Sequence, residues 1–326
     1  MNYVPGDLWA YNGAQGNVML FGYEELAEFT AVQSGSWNDQ ATWGGSAVPT
    51  EGDDVTIPAG ITVTVDGTGA TCRDITIDAD GTLNHSGATK LTVNSNWTNN
   101  GTYTSGTDGT IEFAGTGNAT VSGNNSFQNL IISKGSLGTT LTISGSSEVK
   151  SSTGANFILN SGLISIGTGS TFSINRSEGF TIPATGGFQV NGGTLSTDDL
   201  TITNQGLIHI VSGTANFGNS NGNSVNTTGN GSFIVEDGTV NISGRLTGTA
   251  SGTLGTYSSG IHISGGTVTL ATVANGLSNN GSLNVSSTGV FDFSGGTIVF
   301  QNPSDATTEL DLGLVSGTGS KNTTGG

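Results

Sequence analysis

The sequence predicts an all-β protein folded as a right-handed parallel β-helix, or β-solenoid, with an N-terminal cap. From about Cys72 to Val315, short alternating apolar strands recur between turns of Gly, Ser, Asn, Asp and Thr, and no long helical pattern interrupts them. Repeats of this kind bury their apolar side chains against the coils above and below. The right-handed winding of the coils follows from the strong bias of parallel crossover connections.

A short sequence motif, a turn followed by a strand, recurs through the second half of the chain. It places Gly-Thr or Gly-Gly-Thr before an apolar residue at Thr194, Thr239, Thr267 and Thr297. The last two intervals, 28 and 30 residues, suit one coil each. We interpret the first, 45 residues, as one coil enlarged by a polar loop at 218–231 that leaves the stack. At about 24 to 30 residues per coil, residues 72–315 predict roughly eight to ten coils.

Composition limits the classes of partner. The chain has 55 Gly, 10% charged residues and a net charge of −17. Such an acidic, base-poor surface repels nucleic acid. No segment is long and apolar enough to insert into a membrane as a helix. The first residues lack the basic region and apolar core of a signal peptide, so we expect a removed export signal or an excerpt of a longer chain.

We divide the chain into a cap at 1–33, a distinctive segment at 34–71, the coils at 72–315 and a Gly/Ser/Thr tail or linker at 316–326. Leu20–Phe29 has helical spacing and early acidic residues, which favours a short lid over the first coil. Trp9 and Tyr11 belong either to this lid or to a site where rings stack on sugars. The last coil has no evident cap, which predicts cover by further residues or end-to-end self-association.

The 34–71 segment carries the most specific pattern. Trp37 and Trp43 are either apolar plates that close the first coil or sugar-binding rings. Asp53 and Asp54 are either turn residues before a strand or Ca²⁺ ligands. Asp78 and Asp80 open a similar Asp-Ala-Asp-Gly phrase, in which the third acid and the distal Glu of a calcium loop are missing. No other cofactor is predicted.

Residues 34–66 resemble the first segment of large secreted β-helix proteins of bacteria and are similar to the start of the eight-glycine domain of extracellular glycan-associated proteins. The matching features are the Trp pair, Val48-Pro49, the run from Gly52 to Gly60 and the strand Thr62–Val65. Ser126 to Ile132 is similar to a phrase of adhesin-like proteins secreted by the type IX system. The resemblance spans about residues 34–135. It implies a secreted or cell-surface module whose partners are surface glycans or other surface proteins, and it brings no shared catalytic residues.

Other polar residues give weaker signals. His209 and His262 lie between inward isoleucines, so we expect both to point outward, two rungs apart on one face and without an adjacent carboxylate. The acid pairs Asp198-Asp199 and Glu236-Asp237 are neighbours on strands, whose side chains point to opposite faces. Neither pair forms the facing carboxylates that a glycosidase needs. Cys72 is interpreted as a small buried hydrophobe.

These observations favour a non-catalytic structural or adhesive stalk or filament at a bacterial surface. A polysaccharide-binding or polysaccharide-degrading β-helix enzyme is one alternative. An ice-binding solenoid is another, because Thr-x-Thr phrases such as Thr201–Thr203 and Thr267–Thr269 would form a regular array if they stacked in register. Their uneven spacing, and the ordinary strand preference of Thr, argue against ice.

Overall fold

The structure is a computed structural model that describes residues 10–12, 18–20, 27–45, 47–150, 156–175, 178–198, 201–220, 222–273, 281–302, 310–311 and 321–322. It is a stack of parallel β coils making about nine turns, which confirms the predicted β-solenoid. Within the described residues, helical structure is limited to one 3-10 turn at Gln40–Trp43. Its N-terminal cap is Asp39, whose side chain accepts a hydrogen bond from the Ala41 amide.

Strands of the described first half follow one another at short intervals. In chain order they are Ala10–Asn12 (β1), Val18–Leu20 (β2), Glu28–Thr30 (β3), Gly35–Ser36 (β4), Asp54–Ile57 (β5), Thr62–Val65 (β6), Ala70–Cys72 (β7), Ile75–Ile77 (β8), Thr82–His85 (β9), Lys90–Val93 (β10), Trp97–Asn99 (β11), Thr102–Thr104 (β12), Thr110–Phe113 (β13), Ala119–Phe127 (β14), Asn129–Ser133 (β15) and Thr140–Val149 (β16).

The described second half continues the same pattern with longer strands at first. They are Phe157–Gly167 (β17), Thr171–Ile174 (β18), Phe180–Ile182 (β19), Gly186–Thr197 (β20), Ile202–Asn204 (β21), Leu207–Phe217 (β22), Val225–Thr227 (β23), Ser232–Val235 (β24), Thr239–Ile242 (β25), Leu246–Gly248 (β26), Thr253–Leu254 (β27), Tyr257–Ser258 (β28), Gly260–Ile263 (β29), Thr267–Leu270 (β30), Leu283–Val285 (β31), Phe291–Phe293 (β32), Thr297–Phe300 (β33), Leu310–Asp311 (β34) and Lys321–Asn322 (β35).

The coils pair in parallel, each strand with its counterpart one coil away. One ladder runs from β3 through β5, β8, β11, β14 and β16 into the second half. A second ladder runs through β7, β10, β13, β15 and the start of β17. A separate four-stranded sheet is formed by β4, β6, β9 and β12, and a separate six-stranded sheet by β19, β21, β23, β26, β31 and β34. Alternate residues point inward, so Ile143, Phe172 and Ile263 are buried as the sequence predicts.

The coils begin earlier than residue 72. Phe29 lies in β3, whose residues pair with Asp54 to Thr56 of β5, so the predicted helix does not include it. The helix was predicted from one pair of apolar residues at helical spacing. Such a pair fits the end of a strand equally well. Val18–Leu20 is also a strand, antiparallel to β1, and residues 21–26 of the predicted lid lie outside the described residues.

The 45-residue interval between Thr194 and Thr239 contains two coils, not one. Thr214 is the intermediate member of the series, in register with Thr194 on one side and Thr239 on the other. The proposed loop at 218–231 contains strand β23, which pairs with β21 and β26. Its polar composition concealed the strand, because the three-residue strand β23 of the six-stranded sheet buries only one apolar residue, Val225.

A column of glycines forms the corner between the two halves of the main ladder. Gly213, Gly238 and Gly266 all have positive φ, a region that glycine enters without steric cost. A Cβ atom at these positions would lie 2.4, 2.5 and 2.6 Å from the carbonyl oxygens of Gly193, Gly213 and Gly238 in the preceding coil. We call this column the glycine corner. Consecutive coils can therefore stack in contact there only if no side chain is present.

Lys134 ties three coils together. Its side chain is fully buried, and Nζ donates hydrogen bonds to the carbonyl oxygens of Asn94 and Ala114, at the same corner one and two coils away. Burial lowers the pKa of Lys134. The ammonium group therefore replaces water as the donor to carbonyls that face into the stack.

His85 is a buried polar group inside the solenoid, stacked below Val65. Its Nδ1 lies 3.0 Å from the Thr89 hydroxyl, which itself donates to the Val65 carbonyl, so Nδ1 carries the proton. The ring packs edge to face with Tyr103, and Nε2 is buried with no partner among the described residues. Burial lowers the pKa of His85 to about 4, because the interior does not solvate the imidazolium and a proton on Nε2 would have no acceptor.

Changing Gly238 to Ala should destabilise the fold well beyond the cost of its backbone conformation. Gly60 has a similar φ, 76° against 84° for Gly238, but a Cβ there meets nothing within 4 Å. We expect Gly60→Ala to cost about 1 to 2 kcal/mol. Gly238→Ala should cost about 1 to 3 kcal/mol more, since the neighbouring coil must move. Equal unfolding free energies in urea for the two variants would contradict the role of the glycine corner.

His85 should make stability depend on pH. Its pKa is about 4 in the folded protein, against an ordinary value of 6.5 for histidine, so the unfolded chain binds the proton first as pH falls. Stability is therefore lost between about pH 6.5 and pH 4, by about 3 kcal/mol at the lower end. His85→Leu should remove this component.

The measurement is urea unfolding of both proteins at several pH values. Carboxylates titrate in both, so the difference in unfolding free energy isolates His85. A difference that stays constant from pH 7 to pH 4 would contradict the buried neutral imidazole.

Candidate functional site

The two tryptophans of the 34–71 segment are interior residues. Trp37 and Trp43 have 0% and 6% of their surfaces exposed, and their rings meet edge to face with centroids 5.2 Å apart. Trp43 Nε1 donates to the Trp37 carbonyl oxygen at 2.7 Å, and Phe29 packs on the Trp43 ring. Their faces are therefore not available for sugar stacking, and they fill the first coil as apolar plates.

Asp53 and Asp54 are committed to protein contacts. Asp53 is buried and accepts hydrogen bonds from the Thr50 amide and hydroxyl, at 2.8 and 2.7 Å, and from the Ala27 amide. Asp54 forms a two-point ion pair with Arg73 on the next coil, with Nε to Oδ1 at 2.7 Å. Hydrogen bonding to Asp54 raises the pKa of Arg73. Both carboxylates thus brace the junction of the first coils.

The neighbouring Cys72 is fully buried, as expected. Burial raises its thiol pKa, and the carboxylates of Asp74 and Asp54 add to the rise. The uncharged thiol therefore behaves as a small core side chain.

Asp78 and Asp80 form a tight turn between strands. Asp80 has a φ of 64°, and the Asp78 carbonyl accepts a hydrogen bond from Gly81 at 2.9 Å. In the part of the chain that the structure describes, no group of three or more His, Cys, Asp or Glu is placed to hold a metal ion. Calcium binding at these four aspartates stays a prediction.

Trp9 lies outside the described residues, and for Tyr11 only the backbone, in β1, is described. The sugar-stacking and lid interpretations of these two aromatics both stay predictions.

The two histidines occupy one outward column, as predicted. His209 is in register with Ile234, which is in register with His262, so the histidines lie two coils apart. The expectation that no carboxylate lies beside them is wrong. His209 Nε2 is 3.0 Å from Glu236 Oε1, and His262 Nδ1 is 3.9 Å from Asp292 Oδ2. Each acid comes from a neighbouring coil, 27 or 30 residues along the chain, where sequence adjacency gives no signal.

Across the glycine corner, the outer surface carries an ordered array of threonines. One threonine per coil falls in a single parallel register despite intervals of 20 to 30 residues. We call this column, with the one two residues further along each strand, the threonine face. The first column is Thr171, Thr194, Thr214, Thr239, Thr267 and Thr297, and the second is Ser173, Ser196, Asn216, Asn241, Thr269 and Val299.

The threonine face is uncharged and internally ordered. None of the twelve residues of its two columns is acidic or basic, although the chain carries a net charge of −17; the second column meets Glu148 one coil before Ser173. Asn241 Nδ2 donates to Asn216 Oδ1 at 2.8 Å, and Asn216 Nδ2 lies 3.3 Å from Ser196 Oγ. With coils about 4.8 Å apart, the hydroxyls repeat at the inter-strand spacing. Such a surface can make many weak, regularly spaced hydrogen bonds to a polar partner.

No helix among the described residues has the length and apolar character needed to cross a membrane.

Comparison with known proteins identifies a relationship for part of the chain. A family model described as the G8 domain matches residues 42–154, about a third of the sequence. Neither the curated proteins nor the solved structures contain a match. The match begins just before Trp43, leaves out Trp37, runs past the end of β16 and leaves out the threonine face. Together with the solenoid fold, the G8 match fits a β-helix repeat module of the extracellular type.

Proposed function

We propose that the chain is a section of an extracellular rod that contacts neutral polysaccharide through the threonine face. The observation that carries this proposal is the continuous register of six threonines on coils of unequal length. A solenoid needs apolar residues only on its inside, so stacking alone does not require the same outward residue on every coil. The repetition of threonine at this outward position is therefore not explained by the stacking of the coils.

The energetics suit a long, regular partner. A single hydroxyl hydrogen bond contributes only about 0.5 to 1.5 kcal/mol, because water competes for both groups. Several such bonds made together on a rigid face add up without a fresh entropy cost for each coil. A neutral chain of hydroxyl-bearing sugars matches an uncharged hydroxyl and amide face. Anionic polymers would meet the acidic remainder of the protein.

The location and source follow from the resemblance of residues 34–135 and remain part of the proposal. We infer a module of a secreted bacterial surface protein, exported by a route such as type IX secretion, whose partners are surface glycans or other surface proteins. End-to-end association with further coils would extend the rod. No cofactor is part of this proposal.

Ice is a second candidate partner for the same face. Uneven sequence spacing argued against an ice-binding array, but the register of the threonines removes that objection. Ice, like a crystalline polysaccharide, would present hydrogen-bonding groups at regular intervals. The two candidates are separated by experiment.

The test adds charge to the threonine face without touching the core. The double variant Thr214→Glu/Thr239→Glu should lose retention on insoluble neutral polysaccharides, cellulose and chitin, by at least about tenfold, because two carboxylates would be desolvated on contact. The matched control, Thr203→Glu/Thr247→Glu, adds the same charge to an outward column of another face. It should bind as the unmodified protein does.

Equal losses in both variants, or no retention of the unmodified protein, would overturn polysaccharide contact. Partition into growing ice that is abolished only by Thr214→Glu/Thr239→Glu would assign the face to ice instead.

A catalytic alternative rests on the histidine column. Glu236 and Asp292 lie on one outer face, two coils apart and two positions apart along the strands. Two rungs span about 10 Å and two residues about 7 Å, so the backbones of the two acids are about 12 Å apart, wider than the carboxylate separation of inverting glycosidases. Each carboxylate is also paired with a histidine, and the protein is proposed to be non-catalytic.

We therefore expect no release of reducing ends or unsaturated products from a polysaccharide panel. The assay compares the unmodified protein with Glu236→Gln and Asp292→Asn. Turnover that either variant abolishes would make the protein an enzyme.

A further inference from the structure

A small apolar cluster lies on the outside of the solenoid, separate from the main core. Leu163 and Leu207 point outward from their strands, yet they are 9% and 0% exposed. Leu254 is buried with them, and Leu137, Ile234 and Tyr257 pack against the cluster as partly buried residues. Outward strand positions of a solenoid normally carry polar residues. A buried cluster of leucines at such positions is therefore a distinctive feature of this surface.

Two projecting loops cover this patch. In the outward column, Leu163, Gly187 and Leu207 are in register. Gly187 leaves room for Leu137, because a Cβ there would lie 2.7 Å from Leu207 Cβ and 3.0 Å from Leu137 Cδ2. The turn at 136–139 thus reaches over the sheet from one side as far as Gly187, two coils away.

The second loop is the antiparallel hairpin of β27 and β28. It is fixed at its base by two hydrogen bonds, from Ser232 Oγ to the Ser258 carbonyl and from Ser259 Oγ to the Asn230 carbonyl, both 2.8 Å. The hairpin therefore holds Leu254 and Tyr257 over the apolar patch as a fixed wall.

A groove of about 350 Å³ lies between the two loops, within the range of small-molecule sites. Its lining residues are Leu137, Gly138, Leu254, Gly255, Thr256 and Tyr257. One aromatic ring, aliphatic side chains, a hydroxyl and the open backbone of two glycines form its walls. This combination suits a ligand with an apolar face and a polar edge, which is the character of a pyranose ring.

The groups behind Tyr257 make the site acidic. The His209 ring packs against the Tyr257 ring with centroids 5.9 Å apart, and it holds Glu236 through Nε2. Asp237 is a further exposed acid. From residue 177 to residue 302, Arg245 is the only Lys or Arg in the sequence. Near the other wall, the ammonium group of Lys134 is buried against backbone carbonyls. An anionic sugar would therefore meet a repelling carboxylate without a free cation beside it.

We propose that this groove binds one ring of a neutral oligosaccharide, stacked on Tyr257 between the 136–139 turn and the hairpin. The site lies across the glycine corner from the threonine face, and it does not depend on that face. It would give the rod a defined, saturable sugar site in addition to extended contact.

Calorimetry with soluble hexasaccharides tests the proposal. The saccharide probes are cellohexaose and mannohexaose, which are neutral, and hexagalacturonate, which is anionic. The non-sugar control is 1-octanol, which has a single hydroxyl on a long apolar chain. We expect saturable binding of at least one neutral probe, with hexagalacturonate at least about tenfold weaker. Tyr257→Ala should weaken binding about tenfold or more, and Tyr257→Phe, which keeps the ring, by no more than about threefold.

Thr256→Trp fills the groove and leaves Tyr257 in place, so it should also abolish binding. Because the hairpin lies outside the solenoid, melting temperatures should change little. Thr214→Glu/Thr239→Glu should keep hexasaccharide binding, which separates this site from the threonine face. The proposal is overturned if no neutral probe binds at about 5 mM, if Tyr257→Ala and Thr256→Trp bind normally, or if octanol alone binds.

Discussion

Close parallel stacking at the glycine corner is the constraint on which the rest of the molecule depends. Each coil must bring its corner backbone against the carbonyls of the coil before it, and a Cβ at Gly213 or Gly238 would stand about 2.5 Å from those oxygens. Once the corner stacks, the flanking residues fall into register on both sides. The interior columns then bury apolar side chains on every rung, and the outward columns align whatever residues the sequence places there.

Much of this could be predicted from sequence because the apolar alternation is local. The buried positions of Ile143 and Phe172, and the two-coil separation of the histidines, follow from counting alternate residues. Coil boundaries were harder to predict. Thr214 follows a single glycine, as Thr239 does, but it precedes Ala215 where the other members of the series precede Leu, Val or Ile, so it was not recognised as one of them. A polar coil with only one inward apolar residue looks like a loop in the sequence. Only its register with the neighbouring coils shows that it is a coil.

The surface sites lay mostly beyond the reach of the sequence. Trp37 and Trp43 could be interpreted as plates because they lie beside strand patterns, and they are buried. Tyr257 gave no signal, since its hairpin is mostly Gly, Ser and Thr, and the cluster against which it packs includes Leu163 and Leu207, which are 94 and 50 residues away in the sequence. The carboxylate partners of the histidines were missed for the same reason. In a solenoid, neighbours across coils are about 20 to 30 residues apart.

The threonine column stays continuous while the number of residues between its members varies from 20 to 30. All of that variation is absorbed elsewhere on each coil, so one face is insulated from insertions and deletions that alter the others. Natural variation in length can then reshape one side of such a rod, adding arms like the hairpin of β27 and β28, while the opposite lattice of hydroxyls keeps its period. A single scaffold can acquire new local binding sites without losing its long-range order.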